Sequence, residues 1–98
     1  TLHFPLPTLK TGQMLRLEGN QALALVKAQE QFFVFRDECT HAACAFSQDG
    51  DVIDTILVCN YHGAEFDLFT GTVLQGPAEK TLKVFPVQVI ENQLEVNL

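Results

Sequence analysis

Apolar and polar residues alternate along this chain in short extended runs broken by turn signals. Residues Thr1 to Leu6 read as extended and close in Pro5-Leu6-Pro7, where two prolines forbid a helix interior. Thr11-Gly12 turns into Gln13 to Glu18, in which Met14, Arg16 and Glu18 alternate with Leu15 and Leu17, and Gly19-Asn20 makes the next turn. Leu23 to Ala28 and Gln31 to Arg36 are β-prone runs joined by Gln29-Glu30, a hairpin pattern without the usual glycine. Further on, Ser47-Gln48-Asp49-Gly50-Asp51 reads as a polar turn, and Ile56-Leu57-Val58 as a short buried strand running into Cys59. Phe66 to Phe69 and Thr72 to Leu74 flank Thr70-Gly71 as a second hairpin, and Gly76-Pro77-Ala78 is a rigid loop. Lys83 to Ile90 and Leu94 to Leu98 close the chain as a third hairpin, Leu94, Val96 and Leu98 alternating with Glu95 and Asn97. No stretch sustains a helical apolar period, so the pattern predicts an all-β fold, a small antiparallel β-sandwich or barrel.

Composition narrows the class. Ninety-eight residues fit one domain, with 47% hydrophobic and 18% charged residues, which is globular. No apolar run approaches the ~18 residues that span a bilayer, and no basic-then-apolar leader opens the chain, so a soluble cytoplasmic protein is expected. Three cysteines cannot all pair, and two of them stand beside histidines, which disfavours a disulfide scaffold. The formal charge of -6 is uneven: residues 1–49 carry four Lys/Arg against five Asp/Glu, and residues 50–98 carry two against seven. Seven acids and no Lys or Arg lie from Asp37 to Asp67. Nucleic acid and anionic membrane are therefore poor partners, whereas a basic protein surface would be attracted.

The candidate chemistry lies in two short segments, Cys39-Thr40-His41 and Cys59-Asn60-Tyr61-His62. Thiolate and imidazole suit zinc, or iron in a sulfur cluster, and do not suit calcium or magnesium. Zinc would take all four side chains tetrahedrally. Structural zinc modules, however, group cysteines as one close pair and histidines as another, whereas each segment here mixes one of each. A two-iron, two-sulfur cluster needs ligands for two metal atoms side by side, and a loop offering one cysteine and one histidine can reach both.

With the seventeen residues between the segments, Gly63, Phe66-Asp67, Thr70-Gly71, Gly76-Pro77-Ala78, Leu82 and the terminal hairpin, the chain from Cys39 to Leu98 resembles the Rieske iron-sulfur domain. The first 36 residues match only as short strands. The resemblance implies a Rieske-like β-sandwich with a cluster-binding subdomain formed by two loops: one domain over residues 1–98, with its cluster-binding part at about 37–80. It further implies one [2Fe-2S] cluster per chain, Cys39 and Cys59 binding the inner iron and His41 and His62 the outer iron at a solvent-facing tip, with Pro77 bracing the loops.

Two departures refine the expectation. The family's cytochrome bc branch links its cluster loops by a disulfide whose first cysteine corresponds to Cys44; its partner position is Tyr61, so that bridge cannot form, and Cys44 is expected as a small buried apolar side chain. The same branch places a serine and a tyrosine, both donors to cluster sulfurs, where this chain has Ala64 and Phe66. Fewer donors and nearby carboxylates both oppose the added electron, so a low potential is expected.

Only His3 remains outside the paired segments, too few for a two-His, one-carboxylate oxygenase iron, and no Gly-rich phosphate loop is present. The expected function is therefore that of a soluble, monomeric one-electron carrier, similar to the ferredoxins that connect a flavoprotein ferredoxin reductase to a terminal aromatic-ring-hydroxylating oxygenase. No catalytic activity of its own is expected. The competing readings are a domain or small subunit of a larger respiratory or oxidase complex, and a structural zinc-binding module.

Overall fold

Leu23–Ala28 (β3) is buried along almost its whole length, because both faces of its sheet are covered. The computed structural model describes residues 2–17, 22–39, 45–60, 63–76 and 80–98. In it β3 pairs with Met14–Leu17 (β2) on one side and Gln31–Arg36 (β4) on the other, and β4 pairs with Val84–Phe85 (β9), giving the order β2-β3-β4-β9. One face presents Leu23, Leu25, Val34 and Phe85 to Leu94 and Val96, with Leu2, Phe4 and Val87 packed alongside. These last five belong to a three-stranded sheet formed by Leu2–Pro5 (β1), Val87–Ile90 (β10) and Gln93–Val96 (β11), in the order β1-β11-β10. The opposite face presents Ala24, Val26, Ala28, Phe33 and Phe35 to Leu57, Cys59, Ala64, Phe66 and Leu68. Successive side chains on a strand point to opposite faces, so the unbroken apolar run of β3 feeds two cores at once.

Three of those facing residues lie on strands of the third sheet, order β5-β6-β7-β8, built from Gly50–Ile53, Ile56–Cys59, Glu65–Asp67 and Val73–Gln75. Every paired strand in all three sheets is antiparallel, as the all-β expectation requires. The cluster-binding part expected as two loops thus carries a sheet of its own.

The turn chemistry explains two hairpins. Gln29 and Glu30 adopt φ 50° and 61°, and Glu91 and Asn92 adopt φ 48° and 64°, so both two-residue turns have the left-handed pair that matches strand twist. Gln29 Nε2 donates to Asp54 Oδ1 at 3.0 Å, tying the β3–β4 turn to the β5–β6 turn.

One expectation is corrected. The stretch Ser47 to Asp51, read as a turn, is one helical turn, Phe46–Asp49 (α1), followed directly by β5. Gly50 permits this: its N–H donates to the Phe46 carbonyl, and a Cβ there would stand 2.8 Å from that oxygen and 3.0 Å from the Val58 oxygen. On β2, Leu15 is exposed, while Met14 packs against the core shared with the third sheet and Arg16, two residues on, lies on the same face.

The third sheet enters and leaves the fold at one place. Phe35 pairs with Val84, and Arg36 N–H donates to the Lys83 carbonyl at 2.9 Å, so the chain departs and returns on neighbouring strands. Just before the return, Leu82 N–H donates to the Gly71 carbonyl at 2.8 Å. Gly71 has φ +79°, and a Cβ on it would lie 2.0 Å from the Leu82 oxygen. Replacing Gly71 with Ala forces both a left-handed alanine and a backbone clash, a cost on the order of 2–4 kcal/mol. Thermal unfolding should show a midpoint lowered by about 10 °C or more; an unchanged midpoint would mean that this contact is not a structural tie.

Candidate metal centre

Cys39 follows β4 by three residues, and Cys59 is the last residue of β6. They come from opposite sides of the second core, yet both are buried in it, at 4% and 0% exposure. Their shared walls are apolar: Phe46, Ala64 and Phe66 are fully buried in the same cluster. Phe46 stands edge-on to Phe35 of the central sheet at 5.7 Å and to Phe66 of the third sheet at 5.8 Å. It therefore joins the layer that supplies Cys39 to the layer that supplies Cys59.

Each cysteine is anchored through its chain neighbours. Asp37 N–H donates to the Ala22 carbonyl at 2.8 Å, extending the strand pairing beyond β4. Its buried carboxylate takes the Arg16 Nη1 donor at 3.0 Å on one oxygen and the Ser47 N–H at 2.8 Å on the other, while the Ser47 hydroxyl also donates to it. The helical turn α1 begins at Ala45, which cannot cap it, so Asp37 satisfies one of its orphan amides from across the fold. At the second segment, Gly63 (φ +81°) donates to the Cys59 carbonyl, and Cys59 N–H donates to the Ala64 carbonyl, both at 2.8 Å. Asn60 N–H donates to the Asp49 carbonyl and its side chain to Asp51 Oδ2 at 2.7 Å. The segment Phe46–Ile53 consequently braces both.

The donor chemistry fits an iron-sulfur group: two thiols from separate segments, buried in one apolar wall, are a soft, water-poor ligand environment. His41 and His62 lie outside the described residues, as do Cys44, Tyr61 and Pro77. His3 is exposed on β1, as a solvated side chain should be. Phe33 and Phe35 are buried and Phe32 half-buried, which makes all three packing residues.

The seven acids do not form one patch. Asp37 is buried and paired with Arg16. Asp54 and Asp67 sit at the end of the third sheet where Ile53 pairs with Ile56 and Ile56 with Asp67, the end remote from Cys59. Asp49, Asp51 and Glu65 lie at the Cys59 end, where Gly50 pairs with Cys59 and Glu65 with Val58, and Glu38 is exposed beside Cys39. Sequence order concealed this division because strand register, not spacing, decides which end an acid occupies.

Two cysteine-bearing segments, set against one aromatic junction on a three-sheet β fold, make up the described part of the candidate centre. The family pattern described as "Rieske [2Fe-2S] domain" matches residues 5–86, and the chain belongs to that family. It is 36% identical over 81 residues to the ferredoxin CarAc of Metapseudomonas resinovorans, spanning 80% of this chain and 72% of that one. It is 33% identical over 89 residues to the ferredoxin component of a p-cumate 2,3-dioxygenase system from Pseudomonas putida, spanning 89% and 75%. Among solved structures, a complex of reduced oxygenase and oxidised ferredoxin in carbazole 1,9a-dioxygenase contains a chain similar at a TM-score of 0.83 and 30% identity, covering 91% of this chain and 92% of that one. The family's prosthetic group is a Rieske-type [2Fe-2S] cluster.

The aromatic junction makes a direct prediction. Phe46→Ala removes a fully buried ring touching both layers and should cost about 3–5 kcal/mol. Chemical denaturation should register this as a lowered midpoint together with lower iron content in the purified protein. A loss under about 1 kcal/mol would show that the layers are joined elsewhere.

Proposed function

We propose that this protein is a one-electron carrier that receives electrons from a flavoprotein reductase and delivers them to a terminal, aromatic-ring-hydroxylating oxygenase. The reading takes residues 1–98 as one unit with its cluster-binding part at about 37–80, monomeric and cytoplasmic. The observation that carries it is the burial of Cys39 and Cys59 in one apolar wall, each followed in sequence by a histidine two or three residues on. Cys39 and Cys59 would hold the inner iron and His41 and His62 the outer one. When bound, the cluster supplies reversible uptake of a single electron.

The chain's own residues do the rest. Phe46, Ala64 and Phe66 exclude water from the cysteine side, and the Asn60–Asp51 and Asp37–Ser47 bonds hold the two segments in place without donating to sulfur. Asp49, Asp51, Glu65 and Glu38 make the Cys59 end of the domain negative, which favours a basic docking surface. Among the described residues, no helix is long and apolar enough to cross a membrane.

Purified protein should be red and give, when reduced, the low-average-g paramagnetic signal of mixed Cys/His ligation. His41→Ala should be colourless yet expressed, and a red, stably folded His41→Ala protein would sink the ligand assignment. The functional test is reconstitution: with the reductase and oxygenase from the source cell, product should form only when this protein is added.

Potential is a second check. With Ala64 and Phe66 offering no side-chain donor, and carboxylates at the Cys59 end, redox titration should give a value nearer about -150 mV than +300 mV. A strongly positive midpoint would show that other groups dominate the cluster's surroundings.

A further inference from the structure

Asp37 is the only charged side chain buried among the described residues, and it stands two positions before Cys39. Two residues of backbone span at most about 7 Å, so the Cα atoms of Asp37 and Cys39 lie within that distance of each other. Three contacts fix this carboxylate and a fourth fixes its backbone. Asp37 N–H is paired to Ala22, Ser47 donates twice to the carboxylate, and Arg16 Nη1 lies 3.0 Å from Oδ2. The two charges are unequally placed, however. The Asp37 side chain is 0% exposed, whereas that of Arg16 is 47% exposed. Water and salt screen the guanidinium more than the carboxylate, so the pair presents a net negative field to its surroundings.

We infer that the Arg16–Asp37 ion pair is a potential-setting device, in which Asp37 is the positioning residue for Cys39 and the balance of the two charges biases how readily the cluster takes its electron. The inference rests on the assignment of Cys39 as a ligand. Uptake of one electron would add one negative charge to the bound cluster. The buried carboxylate opposes that addition, and the guanidinium partly offsets the opposition. The same pair anchors α1, so it also holds the first segment between β4 and that helical turn.

A merely structural clamp and an electrostatic one differ in sign. If the pair only holds the loop, Arg16→Gln and Asp37→Asn both loosen it and should affect the centre alike. If it sets the potential, they act in opposite directions. The experiment is spectroelectrochemical titration of the purified, cluster-loaded protein at constant pH and low salt, with the paramagnetic spectrum recorded for each variant.

The expected result is a midpoint lowered in Arg16→Gln, raised in Asp37→Asn, and intermediate in the double variant, with spectra otherwise unchanged. Shifts of the same sign, or no shift in either, overturn the inference. Should Asp37→Asn fail to load, Arg16→Gln, altered at a half-exposed side chain, carries the test alone: a lowered midpoint supports the inference, and an unchanged or raised one overturns it. Failure of both to load makes the pair a folding element and overturns it as well. The ligand assignment is read separately, since a Cys39→Ala protein that keeps its colour removes that assignment whatever the midpoints are.

Discussion

A sheet covered on both faces constrains everything else in this molecule. The central strands β3 and β4 must present apolar side chains in both directions, so Leu23, Leu25 and Val34 serve one core while Ala24, Val26, Phe33 and Phe35 serve the other. The small residues are not evenly divided. Ala24 and Ala28 face the third sheet, leaving room for the large rings of Phe46 and Phe66 from the opposite layer. Close-packed interiors tolerate little slack, so the position of those rings fixes how near the third sheet lies to the central one.

Rigidity at the metal centre comes from second-layer contacts more than from the segments themselves. Cys39 and Cys59 emerge from different sheets, and the short segment Phe46–Ile53 is bonded at one end to Asp37 and further along to Asn60. A small reorganisation on gaining or losing an electron is what a carrier requires, and an environment held by core packing and backbone pairing can supply it. The same apolar wall keeps water from the cysteine side, so charges there are felt at lower dielectric than on the surface.

Much of this was readable in sequence, for definite reasons. Strands with clean alternation, such as Gln93–Val96, and runs such as Leu23–Ala28 announced themselves because side-chain direction has a period of two. The Cys-x-His and Cys-x-x-His order pointed to the family that the match over residues 5–86 bears out, because few other functions pair those residue types. β5 was missed: Gly50-Asp51 looks like a turn, and it becomes a strand only because the missing Cβ lets it lie against Phe46 and Val58. The anchoring carboxylate was missed because its partners are ten and twenty-one residues away. A faint signal existed in Arg16, which shares a face with Met14 and so lies on the side of the sheet that carries the second core. The apparent crowd of seven acids dissolved for the same reason, since register sent Asp54 and Asp67 to the opposite end from Cys59.

The single hydrogen bond between Arg36 and Lys83 has a topological meaning. Because β4 and β9 are adjacent antiparallel strands, residues 37–83 amount to one very long hairpin loop on the framework of the two remaining sheets. Closing such a loop costs conformational entropy that grows only slowly with length. The framework can therefore carry a redox unit of almost any elaboration at nearly constant expense. The whole unit is a cassette whose two ends already touch, which makes this boundary a natural seam for grafting a different metal-binding insert onto the same base.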